Sequence, residues 1–140
     1  AQAKLPAAAY SLEMSEKVYA YQAAHTQSIA TNGTGVIADA VFDRVTDRQR
    51  IEKAAQAANA SFLAVQLVAP VATLLYRVAT REPGPSDADA SIVAVQHTRA
   101  DSPNSWREID TSGSEEQAVT QVAKIIAEDP NAQAVFRDHN

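Results

Sequence analysis

The chain has 140 residues, a formal net charge of −5, 46% hydrophobic residues and no cysteine. That length fits one compact domain, and that apolar fraction excludes wholesale disorder. Without cysteine there is no disulfide scaffold, thiolate metal site or cysteine nucleophile, and the acidic balance gives no general attraction for nucleic acid or an anionic membrane.

Alanine forms about a fifth of the chain and glycine is scarce, a balance that favours helices. Ser11 to Ala30 runs without Pro or Gly, and Val18, Tyr21, Ala24, His25 and Ile29 share one face at helical spacing. Asn32-Gly33 stops that helix. Gly35 opens GVIADAVF, whose apolar core Val36–Asp39 predicts a buried strand. Thr46 and Gln49 have capping-box spacing and open a second helix over about Asp47 to Ala58. Ser61 to Ala69 is apolar on both faces apart from Gln66, the pattern of a parallel strand covered on both sides. Pro70 starts the next helix, with Val71, Leu74, Leu75 and Val78 as its stripe, and EPGPSD breaks it after Arg81.

Ser86 and Asp89 cap a helix over about Ala88 to Arg99. Trp106 to Asp110 reads as a short third strand, and Ser114 with Gln117 forms another capping box before a final helix ended by Pro130. Strands alternating with helices predict an α/β fold: a three-layer parallel sheet of about three strands, flanked by helices. Residues 1–127 make up one domain and 128–140 a tail. Ala1 in place of methionine suggests a lost upstream piece, either a cleaved leader or the front of a longer protein.

In such sheets functional groups collect outside the carboxyl ends of the strands. Asp39 closes the first strand there, suited to hold Mg²⁺ through water or to accept a substrate proton, or else to cap a backbone amide. Arg77 and Arg81 lie one helical turn apart before the polar EPGPSDAD stretch, which reads as a lid. Paired guanidiniums suit a phosphate chain, although a solvated helix end also favours cations. Arg44, Arg48 and Arg50 could likewise be catalytic, but read better as an exposed helical face. The loop Asp110–Ser114, with Ser112 and Gly113 at its tip, leads into a helix N-terminus that can receive a ligand edge, or serves the Ser114 cap alone. No Walker A loop, serine elbow, HExxH or EF-hand pattern occurs, and His25, His97 and His139 are widely separated and carry no catalytic assignment.

Taken in order, LPAAAYSLEMSEKVYA, GVIADAVFDRVTDRQRIEKAA, LLYRVATREPGPSDADASIVAVQ and WREIDTSGSEEQAV resemble the later half of bacterial P-loop kinase-like ATP-binding proteins, a type often fused to an aminoglycoside-phosphotransferase-like domain. The resemblance runs from about Leu5 to Ala127. It implies that Asp39 is an acid near Mg²⁺ and substrate, that Arg77 and Arg81 touch ATP phosphates, and that the loop with Ser112 and Gly113 lies beside adenine. ATP, Mg²⁺ and a small-molecule acceptor are the implied ligands, and the cytoplasm the implied compartment.

The resemblance also implies an opening strand, a Walker A loop, its helix and a second strand, none of which is in the sequence. Without that loop the chain is expected to be inactive as a kinase. In the family sheet the Walker A strand separates the strands matching Val36–Asp39 and Phe62–Val68, so the sheet needs the missing segment, another copy, or a rearrangement. Two other readings stand beside this one. The first is a non-catalytic α/β interaction module that has lost the nucleotide loop. The second, a receiver domain phosphorylated on Asp39, lacks the acidic pair and lysine that chemistry needs.

Overall fold

The computed structural model describes residues 12–81, 106–128 and 130. In chain order the elements are α1 (Leu12–Thr31), α2 (Val45–Ala57), β1 (Val65–Val68), α3 (Val71–Thr80), β2 (Arg107–Asp110) and α4 (Glu115–Glu128). The strands pair in parallel with Val65 opposite Arg107 and Val68 opposite Asp110, as expected of an α/β chain. The expected helix over Ala88 to Arg99, its Ser86 cap, the lid stretch beyond Arg81 and the tail after Pro130 lie outside the described residues.

The core sits between α1 and α2. Ala23, Phe42, Ile51 and Ala54 are buried there, with Tyr19, Ala38 and Trp106 packed against them. Phe42 is its centre: its ring lies 5.4 Å from Tyr19 and 5.4 Å, edge-on, from Trp106. Trp106 ties the two halves together, meeting Phe62 at 6.4 Å and donating its indole N–H to Glu52 at 2.8 Å. An indole N–H that is partly withdrawn from water favours such a partner.

Phe42 takes φ 47°, left-handed and costly for a bulky side chain. Two bonds hold it there. Its N–H donates to the Tyr19 hydroxyl at 3.1 Å, and its carbonyl accepts from Arg48 Nη1 at 2.7 Å. Burial raises the Tyr19 phenol above its ordinary value, and the Phe42 amide partly offsets this. This knuckle turns the chain from the 34–41 segment into α2.

The sequence patterns depart from the structure at five places. Val36–Asp39 is extended but joins no ladder, and Ile37 is 95% exposed. A strand needs a partner, and among the described residues the only bond to this stretch runs from Gln22 Nε2 to the Asp39 carbonyl at 3.2 Å. The Ser61–Ala69 run shrinks to four paired residues. There α4 packs on β2 and buries Ile109, while its register partner Leu67 stays 66% exposed.

The remaining three departures concern the helices. The Thr46 cap does not form: α2 begins at Val45, and Arg44 at the cap position makes no side-chain cap bond. Instead the Arg44 carbonyl accepts the Asp47 and Arg48 amides. Arg44, Arg48 and Arg50 are not an exposed face, since Arg48 is buried and the other two grip buried Asp47 at 2.8 and 3.2 Å. Finally, α1 packs through Tyr19 and Ala23, while the expected stripe of Val18, Tyr21 and Ile29 is exposed. Pro70 needs only a small adjustment: it stands just before α3 and accepts the Leu74 amide at 3.1 Å.

Candidate functional site

The carboxyl ends of β1 and β2 lie side by side, where the chain leaves for α3 and for α4. Thr111 extends the ladder one step, its N–H and hydroxyl both donating to the Val68 carbonyl at 2.8 and 3.0 Å. The chain then turns. Ser112 N–H donates to Asp110 Oδ1 at 2.8 Å, an Asx turn of the kind aspartate favours.

The Ser114–Gln117 capping box forms as expected. Ser114 N–H donates to Gln117 Oε1 at 3.0 Å and Gln117 N–H donates to Ser114 Oγ at 3.3 Å. Gly113 makes room for it, because a Cβ there would stand 1.9 Å from Gln117 Oε1 and 3.0 Å from its Cδ. Alanine at 113 is expected to push the Gln117 side chain out of the cap and cost about 1 kcal/mol, the worth of one capping interaction. Chemical denaturation checks this, and an unchanged midpoint contradicts it.

Arg77 reaches this turn from the last part of α3. Its Nη2 donates to the Thr111 carbonyl and, at 3.5 Å, to the Gly113 carbonyl. The structure thus brings together Arg77 and the turn carrying Ser112 and Gly113. Arg81 follows at the end of α3, exposed, its N–H donating to the Arg77 carbonyl at 3.0 Å.

Asp39 lies elsewhere, among the described residues in no contact with the Arg77 group. It is exposed and lines an open cleft of about 560 Å³ between α1 and residues 36–41. Val18, Tyr21, Ile29 and Ile37 give that cleft its apolar walls. His25 belongs to it too, its ring 3.9 Å from that of Tyr21 and its Nδ1 3.2 Å from the Tyr21 carbonyl. His97 and His139 lie outside the described residues.

The Ser112 backbone N–H, and after it the Ser112 hydroxyl, hold the Asp110 carboxyl below the ordinary carboxylate range. A depressed carboxyl stabilises the turn above its unfolded value and loses that contribution as pH falls through the lower folded value. The Ser112 amide resonance is therefore expected to titrate with a midpoint below about 3.9. A midpoint at or above that value contradicts the turn geometry.

Arg48, which sequence reading placed at the surface, and Asp47, which it did not single out, are buried structural residues. A signal for them was present: one acid among three arginines within Arg44–Arg50, more than an isolated helix face needs. Among the described residues no group of three or more His, Asp or Glu side chains converges in a manner suited to a metal. No described helix is long and apolar enough to cross a membrane.

A family model described as an AAA domain matches residues 2–103. The chain belongs to that AAA domain family. The match covers α1 through α3 and ends before β2 and α4. It supports a P-loop, kinase-like nucleotide-binding function for this AAA domain at that general level, with the mixed α/β build and parallel strands to suit. No curated protein and no solved structure matches the chain.

Proposed function

We propose that this AAA domain is the ATP-binding and lid portion of a cytoplasmic P-loop kinase-like protein acting on a small molecule. The observation that carries the reading is the gathering of Arg77 and the Thr111–Gly113 turn at the carboxyl ends of two parallel strands. Open α/β sheets bind ligands at that edge. Bound ATP with Mg²⁺ supplies the phosphoryl group to be transferred. Arg77 and Arg81 would hold its phosphates, the turn at Ser112 and Gly113 would meet the base, and Asp39 would stand on the Mg²⁺ side or accept the acceptor's proton. The donor set fits this in part: guanidiniums and a carboxylate are present, and a lysine-bearing phosphate loop is not in the sequence.

A strand from the missing Walker A segment, or one lent by another copy to complete the sheet without that loop, would lie against the unpaired 36–39 stretch and the open edge of β1. Exposed Ile37 and Leu67 would then be covered. Burying each is worth about 1.5–3 kcal/mol, a reason for such a strand to seat there.

Titration with Mg-ATP tests the proposal. Joining a strand–Walker A–helix segment ahead of Ala1 is expected to turn the weak, millimolar binding of the 140-residue chain into tight binding. In that protein Arg77→Ala and Arg81→Ala should each weaken binding about tenfold or more, the worth of a charge-assisted bond. Tight binding by the 140-residue chain alone contradicts the proposal. The alternative, a non-catalytic α/β interaction module, draws on one observation: the Arg77 guanidinium is already engaged by carbonyls. It predicts that both arginine variants behave as the parent.

A further inference from the structure

In the turn between β2 and α4 the N–H groups of Thr111, Ser112 and Ser114 are already engaged. Thr111 donates twice to the Val68 carbonyl, Ser112 N–H to Asp110, and Ser114 N–H to Gln117. Its acceptors are arranged differently. The carbonyls of Thr111 and Gly113, two residues apart, converge on a single nitrogen, Arg77 Nη2. Two carbonyls aimed at one NH₂ group make an acceptor pair, and they suit any planar ligand that presents two hydrogens on one nitrogen. A guanidinium does so; the exocyclic amine of an aminopurine does too.

We propose that Arg77 is an internal plug. It fills a carbonyl pair that otherwise reads the amino group of an adenine base, and it leaves when a phosphate chain draws it away. This deepens the nucleotide-binding reading and rests on it. The direction of the exchange follows from the strengths involved. A guanidinium on two carbonyls at an exposed site makes charge–dipole bonds, whereas on phosphate it makes forked bonds between full charges. One side chain therefore serves two ligand parts in turn. Triphosphate binding vacates the base site, so base and phosphates bind with positive coupling. A nucleoside without phosphates must displace Arg77 unaided and has its affinity lowered by the plugged fraction.

The test follows the amide resonances of residues 111–114 while the 140-residue chain is titrated with adenosine, inosine and Mg-ATP at millimolar concentrations, where weak binding is readable. Arg77→Ala is expected to tighten adenosine about threefold or more while weakening Mg-ATP. Arg77→Lys, which keeps the charge but not the fork, should also tighten adenosine while retaining more of the ATP affinity. In Arg77→Ala, adenosine should bind about tenfold better than inosine, whose exocyclic 6-oxo group would face the carbonyls.

Three results overturn the proposal while leaving nucleotide binding intact: adenosine binding unchanged by Arg77→Ala, adenosine and inosine binding alike, or adenosine and ATP weakened together. If no ligand moves these resonances in parent or variants, the nucleotide reading fails and the plug fails with it.

Discussion

Phe42→Ala is expected to destabilise the fold by about 3–5 kcal/mol, and Phe42→Gly by less. The first part follows from burial: the ring is 7% exposed and wedged between Tyr19 and Trp106, so truncation opens a cavity where the two halves meet. The second follows from the backbone. At φ 47° alanine keeps the steric penalty of a Cβ while losing the ring that offsets it. Glycine loses the ring but takes that conformation freely. Equilibrium urea unfolding of both variants should therefore place glycine above alanine by about 1 kcal/mol, the reverse of their order at ordinary positions. Alanine as the more stable of the two contradicts the left-handed knuckle.

Asp47→Asn comes next in size. The carboxylate is 1% exposed and accepts from Arg44 Nε at 2.8 Å and Arg50 Nη1 at 3.2 Å. Breaking a buried ion pair typically costs about 3–5 kcal/mol, because the remaining charge stays desolvated. Arg44 and Arg50 are a quarter and a third exposed, so water relieves part of that cost and about 2–3 kcal/mol remains. Arg44 has little reserve, since its Nη2 is buried with no hydrogen-bond partner and its second acid, Glu16, stands 4.0 Å away and exposed. The loss should appear as a lower urea midpoint at an unchanged slope. A change within about 0.5 kcal/mol, as for an ordinary surface site, contradicts the buried network.

These two sites mark where the sequence stops being legible. Helices with local instructions read correctly: α1 ends beside Asn32-Gly33, and α4 starts on the reciprocal Ser114–Gln117 bonds. Both depend on residues a few positions apart, and period and capping capture that. The Phe42 knuckle depends on Tyr19, 23 residues away, and on Arg48 folding back, which no local pattern encodes.

The 36–39 stretch fails for the opposite reason. Its apolar pattern is that of a strand, but pairing belongs to two segments, and among the described residues only β1 and β2 find each other. On α1, the residues of the legible stripe line the open cleft while Tyr19 and Ala23 pack on α2. The helix is apolar on more than one side, and periodicity does not rank its faces.

The candidate site was partly legible. The spacing of Arg77 and Arg81 and the turn after β2 picked out segments that the structure brings together through Arg77, because helix ends and strand ends are local features. That Arg77 folds onto the carbonyls of that turn is a contact across 34 residues, visible only in three dimensions. Asp39 stands at the end of an unpaired stretch, so the part proposed for it rests on what pairs beside it.

The measurement that bears most directly on the account is amide hydrogen exchange at Val36–Asp39, with and without a strand–Walker A–helix segment joined ahead of Ala1. The account predicts rapid exchange in the 140-residue chain and strong protection once the added strand pairs with this stretch and with β1. Exchange that stays equally rapid in the longer protein, while its remaining amides are protected, contradicts it.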